Sequence, residues 1–218
     1  MNKGLIITLP RYDEVTEYIS QFSKEILKEA HLRGIPLKEL RDKGCTRKEF
    51  EKVAKGLNYG LIVLNGHGSN TAIEGHKDQI LVESGVNEEI LRDKITYARS
   101  CDAGAQLGHD AMKLNIEGCF IGYELPFVFY HDAERETNPL KDNTAKLFLE
   151  PSNAIPISIM KGNVAEQAHE NGRKLLLKNM RKALRQKTSD SLGFAEGLWN
   201  NYIGQVLLGN PNASLYNL

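Results

Sequence analysis

Four short apolar runs, GLIITLP, LIVLN, ITYARS and GCFIGY, are separated by stretches whose apolar residues recur at helical spacing. This alternation constrains the fold more than any other feature. Strands that return through helices lie parallel and bury both sheet faces. The chain is therefore expected to be α/β, a three-layer α/β/α sandwich with a mostly parallel central sheet, in a single domain over residues 1–218.

In detail, residues 4–10 read as a first strand stopped by Pro10. Residues 13–33 read as one helix, with Val15, Ile19, Phe22, Ile26, Leu27 and Ala30 on its apolar side and Gly34 at its C-cap. Residues 35–40 read as a second strand. Thr46 and Glu49 form a capping-box pattern for a helix to Leu57. LIVLN is the third strand, 71–88 a small hairpin, and Asn87 the cap of a short helix. ITYARS is the fourth strand, 103–115 a helix, and GCFIGY the fifth strand. Residues 126–143 read as a surface loop, 164–185 and 192–200 as helices, and 202–211 as a last strand.

Such sheets carry their sites at the carboxyl ends of strands. Two of those ends are chemically distinctive: Gly66-His67-Gly68 after the third strand and Ser100-Cys101-Asp102-Ala103-Gly104 after the fourth. Consecutive strands are usually neighbours, so His67 and Cys101 are expected on one rim, a thiol beside an imidazole. A helix starting near Ala103 would favour a thiolate at Cys101. The amides of Gly68 and of that helix start are candidates for binding an oxyanion.

Other chemistries fit less well. GHGSNT lacks the third glycine of a dinucleotide fingerprint, and no Gly-Lys-Ser/Thr completes a phosphate loop. His67, His76, Cys101, His109 and Cys119 lack the paired spacing of a zinc site, so no metal and no cofactor is expected. Cys119 reads as core, Cys45 as a candidate for exposure, and His131 and His169 as surface. Lys plus Arg and Asp plus Glu are 28 each, a net charge of zero that argues against a nucleic-acid partner. The basic cluster at 173–185 reads as a solvated helix face. No apolar run has membrane-spanning length and no signal peptide is evident, so no membrane partner and a cytoplasmic location are expected.

A strand ending in His-Gly, followed by a strand ending in Ser-Cys-x-Ala-Gly, resembles the caspase-like (clan CD) cysteine peptidases. GHGS is most similar to the gingipain and CHAT-type bacterial branches. The tail WNNYIGQVLLGNPNASL is similar to their closing segment, with Asn210 where they carry Asp. The layout covers the chain from first strand to last, except that residues 126–160 have no counterpart.

The resemblance implies hydrolysis of peptide bonds in a protein or peptide substrate. Cys101 is then the nucleophile, His67 the general acid to the leaving amine, and the Gly68 and Cys101 amides the oxyanion hole. No third catalytic residue is required by the family. The position two before the cysteine often lines the pocket for the residue preceding the cut. Here it is Arg99, beside Asp102, and positions 99 and 101 share a strand face. Two roles for Arg99 are open: it disfavours a basic residue and favours an acidic or polar one, or it pairs with Asp102 or Glu124 and never meets substrate. Asp78 and Glu83 are further candidates for the pocket border, and 126–143 for a lid. Family analogy also suggests activation by a regulatory protein partner and a role in bacterial defence. A non-catalytic binding module and a small-amide hydrolase are the alternatives, although the common amidohydrolase order is Cys before His.

Overall fold

The computed structural model describes residues 2–113 and 117–217. Strand β1 (Asn2–Leu9) leads into α1 (Glu14–Phe22) and α2 (Lys24–Leu32), then β2 (Leu37–Arg41), α3 (Arg47–Leu57) and β3 (Tyr59–Asn65). A hairpin of β4 (Ala72–Glu74) and β5 (Ile80–Glu83) follows, then β6 (Ile95–Arg99), α4 (Leu107–Met112) and β7 (Cys119–Tyr123). Three helices, α5 (Asn143–Met160), α6 (Ala165–Gln186) and α7 (Ser191–Gly204), precede the last strand, β8 (Gln205–Gly209).

Six strands form one sheet in the order β2-β1-β3-β6-β7-β8. All its neighbours are parallel except β7 and β8. Alternation along each strand divides the core. Leu5, Ile7, Leu61, Val63, Tyr97 and Ile121 pack against α2, α5 and α6 on one face. Ile6, Ile62, Leu64, Ala98 and Phe120 pack against α3, α4 and the hairpin on the other. The protein is thus α/β, with helices on both faces of a mostly parallel sheet. No helix among the described residues is long and apolar enough to cross a membrane.

Several expectations are corrected. The helix read over 13–33 breaks at Ser23, whose hydroxyl bonds back to the Ile19 carbonyl at 2.8 Å. Thr46 caps α3 as expected, accepting from Glu49 N at 3.3 Å. Asn87 caps nothing: its amide bridges Glu51 and the Leu81 carbonyl, ahead of a single 3₁₀ turn (Glu88–Leu91). Helix α4 starts at Leu107 rather than Ala103, and the expected end of that helix, Leu114 and Asn115, lies outside the described residues. The expected last strand loses its first three residues to α7. Helix α5 has no counterpart in the sequence reading. Asp142 caps it by accepting from Thr144 N and Ala145 N, and Pro151 and Pro156 sit within it. Its apolar side, including Ile155 and Ile159, belongs to the core despite the prolines.

Candidate active site

Strand β3 leaves the sheet at Asn65, which is tied to β1: its side chain donates to the Thr8 carbonyl and its N–H to the Thr8 hydroxyl, both at 2.7 Å. Gly66 then takes φ 153°, and a Cβ there would sit 1.9 Å from the Glu74 carbonyl oxygen. Only glycine fits this crossing under the hairpin. It projects His67 onto the rim, where its Nε2 lies 2.6 Å from Asp13 Oδ2. The Tyr12 ring stands edge-on to the imidazole at 6.2 Å, and the Tyr12 hydroxyl donates to Asp78 at 2.5 Å.

Asp13 is also the N-cap of α1. Its carboxylate accepts from Thr16 N at 2.8 Å and from the Thr16 hydroxyl at 2.6 Å. Burial alone pushes this carboxyl up. The two Thr16 hydrogen bonds and the His67 contact outweigh burial and hold it below the usual range.

Parallel pairing of β3 with β6 sets Asn65 beside Arg99. His67 and Cys101 therefore lie two residues beyond paired positions, on one rim, as expected. The Ser100 hydroxyl donates to the His67 carbonyl at 2.8 Å. Gly68 packs into the same junction: a Cβ on it would lie 2.0 Å from Ser100 Oγ and 3.2 Å from the Cys101 carbonyl oxygen. Gly68 faces Ile73 across a pair flanked by the bonds Glu74 N to His67 O and Ser69 N to Ala72 O. Its own N–H therefore points away from the hairpin.

Cys101 is half-buried, and its thiol donates to the Phe127 carbonyl at 3.9 Å. Burial, helped by the Asp102 charge, pushes this thiol up rather than down. The thiolate-stabilising helix end expected here is absent because residues 101–106 form turns before α4 begins. Asp102 itself adopts a left-handed φ of 57°.

Arg99 is 0 % exposed. Its Nη2 donates to Asn153 Oδ1 at 2.6 Å, whereas Nε and Nη1 have no partner among the described residues. The expected alternative of a pair with Asp102 or Glu124 is therefore corrected; Glu124 lies by His109 instead, at 3.4 Å. The pairing fails because alternation sends Arg99 inward towards α5, away from both carboxylates.

Segment 126–131, neither helix nor strand, passes beside Cys101 as a strap. The Asn201 side chain, 0 % exposed on α7, accepts from Val128 N at 2.9 Å and donates to Val128 O at 2.6 Å. Asn200 donates to the Pro126 carbonyl at 2.7 Å. The Phe127 ring packs at a tilt against Tyr123, and the Phe129 ring against Tyr18. The expected lid thus touches the thiol through one backbone carbonyl.

Sequence reasoning missed Asp13. Because β1 lies between β2 and β3, its carboxyl end opens onto the same rim, and PRYD follows it directly. That placement was the available signal. Of the remaining candidates, Cys119 is core as expected. Cys45 is also 0 % exposed, its thiol donating to the Leu40 carbonyl, because it packs beneath the hairpin rather than facing solvent. His169 is half-buried, not on the surface, and burial lowers its pKa. His131 is half-buried too, its ring tilted against Tyr18 and its Nε2 3.0 Å from Glu14. Asp78 borders the site through Tyr12, whereas Glu83 bonds Arg47 on the α3 side. Compared with known proteins, the chain matches no family model and no curated protein.

Proposed function

We propose that this chain is a cysteine endopeptidase of the caspase-like kind, working through Cys101 and His67. The supporting observation is the β3–β6 register, which brings a thiol and an imidazole to one rim and joins them through Ser100 and Gly68. In this reading the Cys101 sulfur attacks the scissile carbonyl carbon. The thiol proton passes to His67 and from it to the departing amine as the C–N bond breaks. Water then hydrolyses the thioester and restores the thiol. Asp13 holds Nε2 and fixes the ring, leaving Nδ1 to deliver the proton. The Gly68 and Cys101 amides face the developing oxyanion.

The strap offers a place for the substrate backbone. Asn201 holds both backbone groups of Val128, and the thiol meets the carbonyl of the preceding residue, Phe127. An extended peptide would add along the edge that faces the thiol. Two residues before Cys101, Arg99 carries a buried guanidinium with two nitrogens that lack a partner among the described residues. A buried cation without a carboxylate is costly, so we assign Arg99 a preference for an acidic residue before the cut, reached when Phe127 lifts. A protein partner that lifts the strap is the matching form of activation.

The test compares wild type with Cys101→Ala on a candidate partner proteome. New N-termini that appear only with wild type, enriched after Asp or Glu, are the expected result. Cleavage mainly after Lys or Arg would remove the Arg99 assignment. No new N-termini, with or without candidate activators, would favour the non-catalytic binding module.

A further inference from the structure

We infer that the outer face of α6 is a docking surface for an acidic amphipathic helix of a partner protein. The chain has no net charge, yet residues 171–189 contain seven Lys or Arg and no Asp or Glu. Lys174, Lys178, Arg181 and Arg185 follow helical spacing and form one stripe. With Leu177 they border a cavity of about 470 Å³. Leu184, one heptad beyond Leu177, is 48 % exposed. The two leucines form a short apolar seam with cations along one side.

Folding does not require this stripe. Helix α6 buries Ala165, Ala168, Gly172, Leu176 and Ala183 on its other side. Arg173, at the start of the run, is used internally: it donates to the Tyr202 carbonyl at 2.7 Å and lies over the Tyr202 ring at 3.9 Å. By contrast, the stripe residues Lys174, Lys178, Arg181 and Arg185 form no ion pair among the described residues, and Arg173 meets Glu170 at 3.8 Å. Like charges one turn apart repel and weaken a helix. A run of them without counter-charges is complementary to an external anion.

The seam selects the class of anion. A phosphate backbone gains nothing from the half-buried Leu177 and the exposed Leu184, and the stripe has no aromatic ring on which a base could stack. A helix with apolar residues seven apart and glutamates beside them satisfies both the leucines and the cations. This inference is independent of the peptidase reading.

The experiment uses the full chain and fluorescence anisotropy at low salt. The probes are a designed helical peptide with leucines at heptad spacing flanked by glutamates, poly-L-glutamate, and a single-stranded oligothymidylate. The expected result is that the designed peptide binds most tightly. Lys178→Glu with Arg181→Glu should weaken it at least tenfold, and Leu184→Ser about threefold to tenfold, while circular dichroism shows both variants folded. Four results would overturn the inference: no peptide binding, oligothymidylate binding at least as tightly, poly-L-glutamate binding equally with no effect of Leu184→Ser, or charge reversal only dissolving a self-associated dimer.

Discussion

Cys101 and Cys119 lie on neighbouring parallel strands at opposite ends of the sheet. Cys119 opens β7 at the amino end, opposite Ile95, within an apolar layer. Burial there pushes its thiol to about 12. Cys101 lies past the carboxyl end of β6, where the backbone turns through a left-handed Asp102 and is crossed by the strap. The same side chain is a small hydrophobe in one place and a candidate nucleophile in the other. Direction along a parallel strand, more than the residue type, sets the difference.

The largest expected effect comes from placing the two thiols in direct competition. Iodoacetamide should modify Cys101 at least about a hundredfold faster than Cys119 or Cys45, which need an opening of the core to react. Mass spectrometry of partly labelled protein gives the ratio. Because burial raises the Cys101 thiol above its ordinary 9.0, its labelling rate should still be rising at pH 9. A plateau near pH 7 would show a stabilised thiolate instead. Cys119→Ala should leave any cleavage within about twofold and lower Tm by a few degrees, as the loss of one small buried side chain does.

A second comparison separates the two roles of Asp13, as cap of α1 and as partner of His67. Asparagine also caps helices well, so Asp13→Asn should keep Tm close to wild type, whereas Asp13→Ala should cost about 1 kcal/mol. Both should lower kcat by about tenfold or more, because neither keeps the carboxylate that holds the His67 ring. The pH dependence has a definite sign. The carboxyl of Asp13 is held below its usual value in the fold, so its stabilisation is present above the unfolded pKa, near 4. It is lost as pH falls through the folded pKa. Acid titrations of Tm should therefore be flatter for Asp13→Asn than for wild type.

These contrasts explain which parts were legible in the sequence. Apolar runs found β1, β3, β6 and β7, which are buried on both faces, and alternation found the edge strand β2, whose Lys38 and Arg41 are exposed. They also placed His67 and Cys101 on one rim, since adjacent parallel strands end together. They failed where tertiary packing overrides a local signal. Residues 144–160 carry no helix reading, and proline ordinarily breaks a helix, but α5 accommodates Pro151 and Pro156 because its apolar side is held against the sheet. Arg99 read as either a pocket residue or a partner of Asp102 or Glu124, and the second role fails because strand alternation turns it towards Asn153 on a helix that the sequence reading lacks. Asp13 was invisible for a different reason: strand order, not sequence order, places β1 beside β3.

The smallest expected effect concerns the strap. Asn201 holds both backbone groups of Val128 and the thiol meets the carbonyl of the preceding residue, so the clamp fixes where the Phe127 carbonyl sits relative to Cys101. Asn201→Ala leaves both backbone groups of Val128 without these partners, a loss of about 1–3 kcal/mol if they stay buried. If the strap instead loosens to reach water, Cys101 becomes more accessible, and its alkylation rate should rise about threefold to tenfold while Cys119 stays unreactive. Peptide turnover should change mainly in KM, because the segment that aligns the substrate has lost its anchor while the reacting groups remain. A rise in the labelling of all three cysteines together would mean general destabilisation rather than release of the strap. An unchanged Cys101 rate in a folded variant would show that the thiol is shielded by the packing of Phe127 on Tyr123, and that Asn201 does not control access to it.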